Sequence, residues 1–98
     1  LYAAQPTAAT YARLARCARD VLAGGHSVLC DATFLTRGHR RAFAAIAAAA
    51  GAMPVILHCD APEPVLRERL RARRAAAQDA SEADEAVLSW QLERAEPP

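Results

Sequence analysis

Asp31 and Thr33 stand two residues apart at the end of an apolar run, Val28-Leu29-Cys30-Asp31-Ala32-Thr33-Phe34-Leu35. A carboxylate and a hydroxyl so spaced can hold a hydrated Mg²⁺ or orient a nucleophile, because both offer hard oxygen donors from one short stretch of backbone. The pair also has a plainer reading, in which Asp31 caps the loop through Asx-type hydrogen bonds. The run itself reads as a buried parallel strand, and in open α/β sheets ligands bind beyond the carboxyl ends of such strands. Arg37, Arg40 and Arg41 follow. They can bind an anion near the start of the next helix, or lie along a solvated helix face with only their stems packed.

A second group lies downstream, where Arg67, Arg69, Arg71, Arg73 and Arg74 fall within eight residues. At about 100° per residue, Arg67, Arg71 and Arg74 share one flank, which reads as solvated surface. Arg69 and Arg73 share the stripe of Val65, Leu66 and Leu70 and need a partner there, either an internal acid or a ligand phosphate held bidentately. All 12 basic residues of the chain are Arg. That choice supplies permanent, planar donors suited to phosphate or carboxylate.

Other chemistries find less support. Cys17, Cys30 and Cys59 form no close pair and no metal-type spacing, and read as small buried hydrophobes in a reducing compartment. His26, His39 and His58 lack the i, i+4 pairing of a helical metal site and read as structural. Trp90 reads as a core anchor rather than a stacking platform. The formal net charge of +1 creates no strong field to gather nucleic acid, so an Arg-rich nucleic-acid-binding fragment is the weakest reading. No apolar run approaches the roughly 20 residues of a membrane span, and a cytoplasmic protein without membrane contact is the expectation.

The positioning elements follow from periodicity and punctuation. A helix is expected over residues 7–23, with Tyr11, Leu14, Ala15, Ala18, Val21 and Leu22 on its apolar face, Thr7 as cap and Gly24-Gly25 as stop. A strand over 27–31 leads to a helix over about 37–50, with Phe43 and Ile46 facing inward and Gly51 closing it. Residues 53–59 read as a second buried strand, completing a right-handed parallel βαβ unit. Asp60-Ala61-Pro62-Glu63 has the marks of a helix start, and that helix should reach about Ala76. Residues 78–80 connect to a last helix over about 82–93, with Ser81 and Asp84 in a capping arrangement and Ala86, Val87 and Trp90 as contacts. The fold class is α/β, in 98 residues that fit one domain at most. With 53% hydrophobic but only 5% aromatic residues, much of it Ala, a thin core is expected.

In order and spacing, several segments together resemble one known family. They are Gly25-His26-Ser27 leading into the Asp31-Ala32-Thr33 run, Arg40-Arg41, Gly51-Ala52-Met53-Pro54, Cys59-Asp60-Ala61-Pro62, Leu66-Arg67-Glu68-Arg69-Leu70, and Asp79 to Asp84 with Val87-Leu88 and Gln91. The chain resembles the second half of P-loop kinase-like ATPase domains of AAA type, related to polynucleotide kinase and gluconate kinase. Such domains occur fused behind an aminoglycoside phosphotransferase-like domain. The resemblance implies a three-layer αβα fold with a parallel sheet, of which this chain holds two strands and about four helices.

It also implies ATP and Mg²⁺ as cofactors and an unidentified phosphoryl acceptor as partner. Asp31 and Thr33 match the Asp-x-Thr that ends the Walker-B-like strand near Mg²⁺ and the γ-phosphate. Arg69 and Arg73 match arginines of a lid, over about residues 62–93, that closes on the ATP phosphates, and Arg37 and Arg40 are further candidates for the nucleotide. The family's phosphate cradle is G-x-x-x-x-G-K-[ST]. This chain has no such run and no Lys. The expectation is therefore the C-terminal portion of a single P-loop kinase-like domain, inactive by itself. The parent would be a kinase, or alternatively a degenerate regulatory nucleotide-binding module.

Overall fold

The computed structural model describes residues 8–77 and 82–98, apart from the side chains of residues 77 and 82–84. Four helices follow one another: α1 (Ala8–Ala23), α2 (Arg37–Ala49), α3 (Glu63–Ala77) and α4 (Glu82–Arg94). Their limits agree with the expected ones to within a residue. The proposed cap Thr7, the connector 78–80 and the Ser81–Asp84 capping pair lie outside what is described. By contact the described residues divide into two compact units, one within 8–56 together with Glu96–Pro98 and the other within Leu57–Ala95. No described helix is long and apolar enough to cross a membrane.

In the first of these units α1 and α2 stop in the same way. Gly25 takes φ 82° and Gly51 takes φ 73°. Beyond each glycine a backbone N–H returns to the helix, His26 N to Val21 O at 3.3 Å and Ala52 N to Ala47 O at 2.8 Å. These are Schellman closures, in which a left-handed residue turns the chain and satisfies the last carbonyls. At the other end of α2, Thr36 is the N-cap with φ −106° and ψ 148°, and its hydroxyl accepts from His39 N at 3.3 Å.

Tyr11, near the start of α1, meets His39 and Phe43 in the first half of α2. Arg19, Leu22 and Ala23 of α1 line a shallow hollow of about 400 Å³ together with Ile46, Ala49 and Ala50. The two helices therefore run side by side in one direction. Residues 24–36 must carry the chain back along α1, whose 16 residues span about 24 Å. The core of this unit is small, as expected: Tyr11, Ala18 and Ile46 are its buried hydrophobic residues.

The α/β class is not what the structure has. All regular structure among the described residues is helical, with no residue in a strand, so the two parallel strands and the αβα sheet are absent there. Segments 27–31 and 53–59 have the apolar content of buried strands, yet neither takes part in a backbone–backbone hydrogen bond among the described residues. A strand is a stable state only when its N–H and C=O groups meet a neighbour's. The side chains are correspondingly uncovered, with Leu29 81% exposed, Val55 71% and Leu57 75%. The cysteines follow suit: Cys17 and Cys59 are exposed rather than buried, and Cys30 is half-buried, which pushes its thiol up from the ordinary range by desolvation.

In the unit Leu57–Ala95, α3 packs on α4 mainly through charge. Glu85 of α4 accepts from Arg74 at 2.9 Å and from Arg71 at 3.3 Å, and Arg67 approaches to 4.0 Å. Arg67 also donates to Ser89 Oγ at 2.8 Å and pairs with Glu63 at 3.2 Å. The expectation for the arginines of α3 is thus corrected: Arg67 and Arg74 are half-buried against α4 and Arg71 reaches Glu85 from an exposed position, while Arg69 and Arg73 are exposed and the stripe of Val65, Leu66 and Leu70 stays half-buried. Trp90 is half-buried, with the Arg94 guanidinium 4.4 Å above its ring.

Three stability tests follow from this packing. Around Gly51 a Cβ would meet nothing within 4 Å, so Gly51→Ala carries only the backbone cost of its φ and should lose about 1 kcal/mol in urea unfolding. Gly38 lies inside α2 at ordinary φ with Thr36 Oγ1 3.9 Å from its Cβ position, so Gly38→Ala should gain about 0.5 kcal/mol in the same measurement. Glu85→Gln should cost on the order of 1 kcal/mol at low salt and progressively less as salt rises, while Glu93→Gln, whose pair with Arg94 is exposed, should leave the urea midpoint where it was.

Candidate functional site

The turn that carries Asp31 and Thr33 is shaped by what surrounds Phe34. Tyr11 is 7% exposed, so its phenolic hydroxyl cannot rely on water and takes partners from the turn. It accepts from Phe34 N at 3.1 Å and lies 3.0 Å from Thr33 Oγ1. On the far side of the same residue, Arg40 Nη1 donates to Phe34 O at 2.6 Å. Phe34 is thereby gripped at both its N–H and its C=O. Its φ of 44° puts it in the left-handed region, where a bulky residue stays only if its surroundings hold it.

Rings complete the hold. Phe34 meets Phe43 edge-on at 4.9 Å between centroids and Tyr11 at 5.5 Å. Tyr11 stacks on His39 at 3.9 Å with 17° between the planes, which makes His39 structural, as the sequence indicates. Within this frame Asp31 and Thr33 are both exposed. A rigid backbone presenting a free carboxylate and a hydroxyl is a suitable mounting for a ligand-binding pair.

The arginines after the turn are engaged. Arg40 donates from Nη2 to Glu96 O at 2.8 Å and to Pro97 O at 2.9 Å, besides its bond to Phe34 O. Its guanidinium therefore organises backbone. Arg37 pairs with Glu96 at 3.7 Å, an exposed contact, and its backbone N–H donates to Glu96 Oε1 at 2.9 Å. No acidic residue lies in the first turn of α2, and Glu96 brings a carboxylate to that positive helix end from elsewhere in the chain. Glu96 N in turn donates to Leu35 O at 2.7 Å. Arg41 is exposed.

Asp31, Thr33, Arg37 and Arg40 thus share one compact unit, and Arg69 and Arg73 belong to the other. Neither Arg69 nor Arg73 has an ion-pair or hydrogen-bond partner among the described residues, which leaves both guanidinium groups open to solvent there. Among the described residues there is no group of three or more His, Cys, Asp or Glu that could cage a metal. One carboxylate and one hydroxyl do suit Mg²⁺, which keeps most of its water and takes few protein oxygens.

Two groups central to this geometry had no prominence in the sequence. Tyr11 is visible there only as one member of an apolar helix face. The available signal was its hydroxyl, since a tyrosine on a buried face needs a polar partner. Glu96 stands 59 residues from Arg37 and nothing local marks it.

No curated protein and no solved structure matches the chain. Among protein families, the one described as "AAA domain" matches residues 2–98. By a match over nearly its whole length, the chain belongs to the AAA domain family, whose members are nucleotide-binding modules of the P-loop NTPase, kinase-like type.

Proposed function

We propose that this chain serves ATP-dependent phosphoryl transfer, with Asp31 and Thr33 on the metal and γ-phosphate side and Arg69 and Arg73 on the phosphates from a lid. The observation that carries the reading is the turn at Asp31 and Thr33, two exposed oxygen donors on a backbone gripped at Phe34 from both sides. Family membership supports the nucleotide as ligand. The guanidinium groups of Arg69 and Arg73, exposed and without an ion-pair partner among the described residues, support a role toward an anion, because a solvated Arg retains its whole fork of donors.

A bound Mg²⁺ would supply neutralisation of the charge that develops on the phosphates. The residues would do the rest by position. Asp31 would hold the ion through its carboxylate and Thr33 through a neutral oxygen, and Arg69 and Arg73 would offer bidentate donors for charge on the transferring group. Arg40 belongs to the support of the turn, since its donors already serve three carbonyls. Arg37 can exchange its exposed carboxylate partner for a phosphate at little cost. The lysine-bearing phosphate loop has no counterpart in these 98 residues. The lack of any Lys also keeps in play a regulatory nucleotide-binding module without transfer.

Turnover is measured on the protein as it exists. Asp31→Asn should lower Mg²⁺-dependent ATP turnover by about tenfold or more, and an unchanged rate would reduce Asp31 to a loop cap. In contrast, a protein that binds ATP with no turnover in either form is the regulatory module. Arg73→Ala should lower turnover more than Arg67→Ala does, whereas urea unfolding should respond more to Arg67→Ala, whose side chain joins Glu63, Glu85 and Ser89. Equal effects on turnover would remove the lid assignment from α3.

A further inference from the structure

We infer that Tyr11 is a positioning residue for the Asp31 and Thr33 turn, acting through its hydroxyl rather than its ring. The inference rests on the phosphoryl-transfer reading of that turn and adds to it a residue from α1.

Phenylalanine has no intrinsic reason to sit at φ 44°, and left to itself it would return to the extended basin. That return would rotate the peptide on its N-terminal side, which is the peptide that follows Thr33. The groups that oppose it are the Tyr11 hydroxyl on Phe34 N and the Arg40 guanidinium on Phe34 O. A phenolic oxygen has one proton and two lone pairs. One lone pair is filled by the Phe34 N–H, and the remaining capacity meets Thr33 Oγ1 at 3.0 Å. One buried oxygen thus fixes both the backbone after Thr33 and the direction in which the Thr33 hydroxyl is held. Packing alone does not require this, because the stack on His39 and the edge contacts with Phe34 and Phe43 are made by the ring.

Phe at position 11 therefore separates the two roles: it keeps every ring contact and deletes the one oxygen. In the full-length protein, two quantities are read for Tyr11→Phe: hydrogen exchange at the Phe34 amide, and the Mg²⁺ concentration giving half-maximal ATP hydrolysis. Exchange at Phe34 should accelerate about tenfold or more, with the amides of α1 and α2 unchanged, because that N–H loses its acceptor. The half-maximal Mg²⁺ concentration should rise severalfold at unchanged KM for ATP. Thr33→Val is the companion variant: it leaves the phenol its Phe34 bond, so it should move the Mg²⁺ dependence and leave the Phe34 exchange slow.

Unaltered Phe34 exchange in Tyr11→Phe overturns the inference. So does faster exchange with an unaltered Mg²⁺ dependence, which would make the bond a purely structural one. Asp31→Asn, measured alongside, keeps the two levels apart. If it is inactive while Tyr11→Phe is indistinguishable from the parent, the role of Tyr11 falls alone. If it turns over at the full rate, the phosphoryl-transfer reading falls and the positioning role falls with it.

Discussion

A phenolic oxygen closed off from water has to be satisfied inside the protein, and where it is satisfied decides the shape of what lies around it. In the unit that carries Asp31, that oxygen is Tyr11's. Because it reaches Phe34 and Thr33, the chain leaving α1 must come back along the helix to its beginning before α2 can start. Because Phe34 is held in a left-handed conformation, the following residues are aimed at the Thr36 cap and the first turn of α2. The ring cluster of Tyr11, Phe34, His39 and Phe43 then closes over the same point. With so small a buried core, this polar and aromatic node contributes what bulk apolar packing does not.

The unit Leu57–Ala95 is organised by a different kind of force. Glu85 draws three guanidinium groups from successive turns of α3 and sets which side of that helix is covered. Such a network is directional, since each Arg offers a planar fork and the carboxylate has two oxygens to share. It also leaves a remainder. The arginines that Glu85 does not recruit, Arg69 and Arg73, stay exposed and have no ion-pair partner among the described residues, and they are the ones the phosphoryl-transfer reading employs. Covering one arginine face is what frees the other.

What could be read from sequence divides along the same line between local and distant causes. The helices were legible because their signals are local: apolar spacing, the Asp60 to Glu63 start of α3, and glycines where the chain must turn left-handed. Asp31 and Thr33 were legible as a carboxylate and a hydroxyl ending an apolar run. The strands were misread because an apolar run reports only suitability, whereas a strand exists through its neighbour, and residues 27–31 and 53–59 have none among the described residues. The faces of α3 were misread because Glu85, 11 residues beyond Arg74 and 14 beyond Arg71, settles them. The grip on Phe34 was invisible for a like reason, as Tyr11 stands 23 residues from it.

The segment around Met53, Val55, Ile56 and Leu57 brings one more physical consequence. Those side chains are between 61% and 86% exposed, and the segment carries no formal charge from Gly51 to Leu57. Uncharged, β-branched and with idle backbone donors and acceptors, such a stretch is a template on which another extended chain can add itself. Its single proline, Pro54, interrupts the row of donors near the start but not at Val55, Ile56 or Leu57. Protein concentration thereby becomes a structural variable: in dilution the segment faces water, and in a crowded solution its cheapest cover is the nearest other strand.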